Sequence, residues 1–519
     1  MWCNTQVTYS PSPNNARSES ELEANPLNAL NMVGASKRFT NPATYDFTMA
    51  AYATFDGGES WSEAPPLALL GDPDPNKVWS GISDPAVAWD NRGNCYLVAL
   101  PFPGHSSPYQ TLGIAVYRSS DGGLSWSAPS FIHQSTGDDK QWATGDRTPS
   151  SPYYGNVYAA WDDGSSLAFA RTTDHGATWR GIGTQPPGSH LASDSFSPTI
   201  AVLPSGNVVI VWIAVSTIKY VVSTNGGDSF SAPQVAVTGL TTLSSRLPAP
   251  NGFPELPGGK FRVLTLPAAC AGSGSQLVVA WADYRDNVSR IYYRRSTDGG
   301  TTWAGPASGQ QLLPFSPPTS QHDFHPQLAS TPDGRIGCAY YEFGPKWSGG
   351  PPWIDVYLAT SHDGGASFGD VQRVSNVAWD PTVDAPLSHG DPQTTFIGEY
   401  FGLGASPRGF FPFWTDTRTG IQEIFCGRVM TVGPWNGVQF RGTVRAGATQ
   451  RWFTFHWPAC WHVVWDVVPV TPHLGTPEVR WRVQVERASS GYITYWIVIT
   501  NLTGSDVDIE ARYSILAAD

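Results

Sequence analysis

The chain has 519 residues, with 53 Gly, 44 Pro and 22 Trp, and only 14% of it is charged. That is too long for one ordinary core unless the core is built from repeats, and it lacks the Ala/Leu/Glu/Lys periodicity of a helical protein. A net charge of −12 argues against the basic face needed by a nucleic-acid partner or anionic lipid, and no run reaches the ~20 apolar residues of a membrane-spanning helix.

Residues 1–30, "MWCNTQVTYSPSPNNARSESELEANPLNAL", hold no charged segment followed by an apolar one and read as an N-terminal extension. The low charge and the Thr, Ser and Gly content suit a secreted or cell-surface protein, with no signal peptide in this chain.

Between residues 31 and 435 one turn recurs, with the template Ser/Thr-x-Asp/Asn-x-Gly-x-x-Trp/Phe. It occurs as "TFDGGESW" from Thr54, "SSDGGLSW" from Ser119, "TTDHGATW" from Thr172, "STNGGDSF" from Ser223, "STDGGTTW" from Ser296 and "SHDGGASF" from Ser361. The acidic or amide side chain accepts hydrogen bonds from its own turn, the Gly supplies a positive φ, and the aromatic folds back over the turn. Ahead of the turns lie strand pairs around a Gly turn, such as "DPAVAWDNRGNCYLVAL" (Asp84–Leu100), "SPTIAVLPSGNVVIVWI" (Ser197–Ile213), "HPQLASTPDGRIGCAYYEF" (His325–Phe343) and "YFGLGASPRGFFPFWTD" (Tyr400–Asp416). Each unit is then four antiparallel strands in about fifty residues, the plan of a propeller blade. Units fall near 31–61, 84–130, 139–180, 196–232, 265–305, 325–370 and 400–428. The first and last could share a blade, so six blades or seven stays open.

Residues 436–519 lack the turn. "RWRVQVER" and "TYWIVITNLT" alternate with period two, which predicts a small antiparallel β-sandwich. Its tryptophans (Trp452, Trp457, Trp461, Trp465, Trp481 and Trp496) divide between core and a carbohydrate-binding surface, with several required for the core. Cys3, Cys95, Cys270, Cys338, Cys426 and Cys460 form no CxxC pair, so a zinc or iron–sulfur site of that kind is not expected. Cys95 and Cys338, in apolar runs, read as buried thiols, and one or two disulfides stay open.

In a propeller the Gly turns and the recurring turn share one face. The starts of the inner strands and the loops between second and third strands meet around the channel on the other face, where ligands bind. Strand starts place Asp84, Asp139 with Lys140 and Trp142, Asp194, and His322, Asp323 and His325 there. The last unit adds Asp391, Glu399 and Tyr400. The loops add Trp161, Asp162, Asp163, Glu342, and two copies of Trp-x-Asp-x-Arg: Trp281, Asp283, Arg285 and Trp414, Asp416, Arg418. These two Asp–Arg pairs are read equally as ligand clamps and as structural salt bridges. Glu399 and Tyr400, adjacent on a regular strand, would face opposite sides, as would His322 and His325, so a shared metal is not expected, although channel-mouth aspartates suit a structural Ca²⁺.

The six turns are Asp boxes, and the chain resembles the sialidase-like BNR-repeat β-propellers, a six-bladed family, over roughly residues 30–430. The resemblance implies an all-β propeller followed by the β-sandwich. It also implies a glycoside hydrolase acting on terminal sugars of a glycan or glycoconjugate, without a cofactor. The alternative is a non-catalytic glycan- or protein-binding propeller. Enzymes of that family hold a substrate carboxylate with three arginines and use a Tyr nucleophile, a Glu partner and an Asp acid/base. The residues available for these roles are Arg38, Arg285 and Arg418, then Tyr400 with Glu399, and Asp84, Asp139 or Asp323, with Asp283, Asp416, Trp142 and His322 as further contacts. The family's Phe/Tyr-Arg-Ile-Pro motif is absent, and the corresponding stretch reads "VGASKRFTNP".

Overall fold

The computed structural model describes residues 4–9, 15–41, 46–74, 76–103, 110–250, 252–313, 318–346, 349–383, 387–388, 391–430, 435–458, 461–470, 475–489 and 492–518. The chain divides into two compact units, 1–429 and 430–519. No helix among the described residues is long and apolar enough to cross a membrane.

The first unit contains seven antiparallel blades among the described residues, six of four strands and one of five. Blade 1 is Arg17–Ala24, Met32–Asn41, Asp46–Thr54 and Ser62–Glu63, and blade 2 is Gly81–Trp89, Cys95–Phe102, Ile114–Ser119 and Ser130–His133. Blade 3 is Asp138–Gly145, Val157–Asp163, Ser166–Thr172 and Ser189–Ala192, and blade 4 is Phe196–Val202, Val208–Ala214, Thr217–Ser223 and Gln234–Thr238. Blade 5 is Ala268–Ala271, Leu277–Asp283, Arg290–Ser296 and Gln310–Gln311, and blade 6 is His322–Ser330, Ile336–Pro345, Pro352–Ser361 and Gly369–Arg373. Blade 7 joins Gly402–Ser406, Gly409–Asp416 and Glu423–Gly427 to Asn4–Gln6, with Val429–Met430 also pairing on its second strand. The first strand of each blade neighbours that of the next, and blade 7 returns to blade 1, which closes the ring.

The choice between six and seven blades is thus settled at seven, and within 1–30 the described segments 4–6 and 17–24 are blade strands and not an extension. Thr5 pairs with Cys426 on the rim of blade 7, and Arg17–Ala24 is the innermost strand of blade 1. Its sequence, Arg-Ser-Glu-Ser-Glu-Leu-Glu-Ala, looks solvent-exposed, yet nearly all of it is buried. A strand lining a polar channel breaks the usual link between apolar residues and burial, which is why the pattern hid it.

All six Asp boxes have one geometry. The leading Ser or Thr hydroxyl donates to the Asp or Asn at 2.7–2.9 Å. It accepts the N–H of the Gly four residues on at 2.8–3.0 Å, and these glycines have φ of +80° to +97°. The closing aromatic reaches back to the preceding blade. Trp179 packs on Tyr96, Phe230 on Phe169, Trp303 on Tyr220 and Phe368 on Tyr293, while Trp61 of blade 1 meets Phe413 of blade 7. Trp126 packs into the shared core of blades 1 and 2. The Asp box is therefore an inter-blade staple as well as a turn. His175, in the third box, lies 3.0 Å from Asp90 in a Gly turn, so both kinds of turn share a face.

The second unit is a β-sandwich of two three-stranded sheets. One orders Trp435–Val444, Val507–Ala518 and Trp461–Pro469, and the other Thr449–Pro458, Tyr492–Asn501 and Val479–Arg487. Trp457 and Trp465 are buried in its core, with Trp452 and Trp481 packed against it. Trp496 instead packs at a tilt against the exposed Phe453. Cys95, Cys270, Cys338 and Cys426 are buried free thiols, whereas Cys3 and Cys460 lie outside the described residues.

Candidate active site at the channel mouth

A backbone irregularity repeats at the start of the inner strands. Glu19, Asp84, Lys140, Ser197 and His325 all adopt φ between +47° and +55°. At each of them the pairing with the second strand slips, between Ser18 and Glu21, Ser83 and Ala86, Asp139 and Trp142, Phe196 and Thr199, and Phe324 and Gln327. Such bulges re-aim side chains, and a left-handed conformation in non-Gly residues is strain that a fold retains at functional positions. In three blades the bulged residue precedes Pro (Asp84, Ser197 and His325), where that conformation is further disfavoured.

Four carboxyl groups converge where these strands begin. The Ser83 hydroxyl lies 2.7 Å from Asp84 Oδ1 and 3.4 Å from Glu19 Oε2, which places those oxygens within about 6 Å of each other. Glu19 is 2% exposed. Burial, then the neighbouring Asp84 charge, pushes its carboxyl up to about 8 against the pull of Lys37, whose Nζ is 3.6 Å away. Asp139 is solvent-exposed at the mouth, yet the surrounding walls, then Asp84 and Glu399, push its carboxyl up to about 7. Glu399 pairs with Arg262 at 3.1 Å. Arg262 comes from the long connection between blades 4 and 5 and also covers the Phe396 ring. Gly398 makes this approach fit: its φ is +88° and a Cβ there would lie 2.6 Å from Glu19 N.

Three buried cations oppose these acids: Lys37, Lys140 and Arg262. Lys140 Nζ lies 3.8 Å from the centre of the Tyr400 ring and 5.4 Å from that of Trp142. Tyr400 is buried, and burial followed by Asp84 and Glu19 raises its hydroxyl well above the ordinary range. A phenol held neutral in this way is a poor nucleophile. Glu399 and Tyr400 precede the first strand of blade 7, so the strict alternation expected of a regular strand does not govern them, and both act electrostatically on this cluster.

The other expected residues sit elsewhere. Arg38 bonds Asn15 and Glu63, Arg285 bonds Asp283 and the Ser308 carbonyl, and Arg418 bonds Asp416, Asn4 and Asn376. Ser308 and Asn4 lie in or beside the outermost strands of blades 5 and 7, whereas Arg38 spans Asn15, just ahead of the inner strand of blade 1, and Glu63 in its outer strand; the three arginines share no partner. The Trp-x-Asp-x-Arg motif is a structural device. Trp281 Nε1 donates to Asp283 and Trp414 Nε1 to Asp416 at 3.1 and 3.0 Å, and each guanidinium covers a ring, Tyr292 or Phe425.

Asp323 belongs to a separate buried group. Burial, then Glu342, pushes its carboxyl up to about 7 against Arg290 and Lys346. His322 accepts the Ser289 N–H at 3.2 Å and stacks on Tyr284. His325 is buried against Phe324 and Tyr341, and burial lowers its pKa to about 3, which keeps it neutral. Asp194 pairs with Lys219 at the surface. The side chain of Asp391 lies outside the described residues.

A cavity of about 750 Å³ fills the channel on the opposite side, from Glu21, Trp142 and Gln327 outward to the Gly-turn residues Pro204, Ser273 and Pro332. The carboxyl cluster is at the other end, which the cavity does not reach. Glu19, Lys37, Ser83 and Arg262 are the mouth residues that the sequence did not reveal. One available signal was a Ser-Asp-Pro, Phe-Ser-Pro or Phe-His-Pro tripeptide at the same point of three blades.

Seven blades, six of them carrying an Asp-box staple, with a carboxyl-lined mouth define an Asp-box β-propeller. Similar folds occur in the NanB sialidase from Streptococcus pneumoniae, with 11% identity over 82% of this chain and 70% of that one and a TM-score of 0.39. Trypanosoma rangeli sialidase shares 10% identity over 99% and 94%, with a TM-score of 0.40. An α-L-arabinanase of Penicillium chrysogenum, complexed with arabinobiose, shares 14% over 56% and 92%, with a TM-score of 0.31. No protein-family model matches the chain, and no curated protein matches it. The likeness is one of fold at low identity, and the chemistry is argued from the mouth itself.

Proposed function

We propose that the protein is a secreted or cell-surface glycoside hydrolase that cleaves terminal sugars of glycans at the carboxyl-lined mouth. The observation that supports this reading is the convergence of Asp84, Asp139 and Glu399 on bulged or irregular segments, with Ser83 linking Asp84 to the protonated Glu19. Glycoside hydrolysis needs one carboxyl group that gives a proton to the leaving oxygen and another, ionised, that attacks the anomeric carbon or activates water. Environments that push neighbouring carboxyl groups to different protonation states supply such a pair. Asp139 faces solvent as the proton donor, and Asp84 is the opposed carboxylate. A sialidase version would meet the substrate carboxylate with Lys37, Lys140 or Arg262, since Arg38, Arg285 and Arg418 are engaged elsewhere.

The test is a screen of fluorogenic glycosides, sialosides and arabinosides included, on wild type, Asp84→Asn and Asp139→Asn. Loss of at least 100-fold in kcat in both variants, with unchanged melting, supports the assignment. A substrate turned over equally by all three proteins removes it. Binding of a glycan with no turnover of any glycoside favours a glycan-binding propeller, a reading to which the Arg262–Glu399 pair lends weight because it neutralises one of the carboxylates.

A further inference from the structure

Blades 2 and 3 meet at a cluster that the mouth chemistry leaves unused. His133 ends the outer strand of blade 2, Asp138 opens the inner strand of blade 3, and Asp163 stands opposite Asp138 at the end of the second strand. One nitrogen or oxygen from each of the three lies within 4.8 Å of the others. His133 Nδ1 is 2.8 Å from Asp138 Oδ2, and His190 Nε2 is 2.9 Å from Asp163 Oδ2.

The remaining oxygen of each carboxylate is held by a neutral donor. Trp161 Nε1 donates to Asp138 Oδ1 at 2.8 Å, and the Ser135 hydroxyl donates to Asp163 Oδ1 at 2.7 Å. Each acid is thus anchored by a neutral donor while it faces an imidazole: Asp138 presents both oxygens to His133 Nδ1, at 3.0 and 2.8 Å, and Asp163 presents Oδ2 to His190. Outer donors position carboxylates around a metal in this manner. The Asp138 side chain is fully buried, whereas that of His190 is 52% exposed, so the cluster has a dry floor and an open side through which an ion can enter.

We propose that His133, Asp138 and Asp163 bind a Zn²⁺-class divalent cation, with His190, which reaches the cluster through Asp163, swinging in from its exposed position as the fourth ligand. Two imidazoles and two carboxylates suit a four-coordinate zinc ion, whereas Ca²⁺ and Mg²⁺ take six or more oxygens. On binding, the ion replaces the two imidazole–carboxylate hydrogen bonds, and each imidazole binds it as the neutral tautomer, its one proton on the nitrogen turned away from the ion and any second proton passing to solvent. The ion then joins blade 2 to blade 3. This site stands whether or not the mouth is catalytic.

The full-length protein, dialysed against a chelator, is titrated with ZnCl₂ and separately with CaCl₂. Bound metal is measured by elemental analysis after equilibrium dialysis, and melting is followed in parallel. One equivalent of zinc per chain with a raised Tm, and no such shift with calcium, is the expected result. His133→Gln and Asp163→Asn are each expected to weaken zinc binding at least tenfold. Their melting without metal shows whether they fold, and His190→Ala, at an exposed position, provides a variant that leaves the buried floor intact. Zinc affinity equal to wild type in all three variants, or no zinc bound by folded wild type, overturns the proposal.

Discussion

Glu19 and Asp84 share one hydroxyl, that of Ser83, at 3.4 and 2.7 Å. A hydroxyl has one proton to donate, so it cannot serve both carboxyl groups fully. Burial, then the Asp84 charge, places the Glu19 carboxyl at about 8, well above its unfolded value of about 4.3. The folded state therefore binds the extra proton between these two values, and stability falls as pH rises through that window. The slope is on the order of 1.4 kcal/mol per pH unit. Denaturant unfolding at pH 5, 6, 7 and 8 measures it. Glu19→Gln is expected to flatten the curve, and parallel curves for the two proteins would falsify the protonated Glu19.

Arg285→Ala is expected to cost stability and leave the mouth chemistry alone. Asp283 is fully buried, and it loses two side-chain bonds from Arg285, at 2.9 and 2.6 Å. It keeps Trp281 Nε1 and the Arg285 N–H. The loss is about 1–3 kcal/mol. Arg418→Ala behaves alike at Asp416. An unchanged Tm together with a raised KM in either variant would put the arginines back at the substrate.

Deletion of residues 1–9 is expected to strip the outer edge of blade 7 and weaken it. It removes the outer strand of blade 7, the buried Val7, and Thr8, whose hydroxyl donates to Glu423 and accepts the Ile424 N–H. The expected loss is about 3 kcal/mol or more, read as an earlier thermal transition. A variant with the wild-type Tm would show that blade 7 closes without its fourth strand.

The Asp boxes are expected to make the protein acid-sensitive. Accepted hydrogen bonds hold Asp56 and Asp363 at about 2 even against partial burial, and lower Asp121, Asp174 and Asp298 as well. Depressed carboxyl groups give stability that is present above the unfolded value near 4 and is lost as pH falls toward 2. Asp121→Asn should reduce that acid dependence and leave glycoside turnover unchanged. An acid transition identical to wild type would mean the box carboxylates are not what titrates.

How much was legible divides by range. The six boxes are local: Ser119, Asp121 and Gly123 bond one another within five residues, so the residue types alone specify the turn and, by repetition, the blades. Trp-x-Asp-x-Arg was equally local, but its two readings differ only in where the guanidinium points, and the register of blades 5 and 7 fixes that. Arg17–Ala24 was missed because polar side chains that line a channel look like polar side chains facing water. Glu19 and Arg262 were missed because nothing near them in sequence is their partner: Glu19 meets Ser83 and Lys37, and Arg262 meets Glu399.

The sequence by itself determined the repeated turn, the four-strand unit and the all-β sandwich that follows, since each rests on hydrogen bonds and alternation within a few residues. Only the tertiary structure decided that there are seven blades, that the N-terminal strand completes the last, and that Glu19, Asp84, Asp139 and Glu399 crowd one mouth. The physical reason is that closure of the ring and the bulges of its inner strands bring together residues separated by up to several hundred positions. Their protonation then depends on shared burial and mutual repulsion, which no single segment carries.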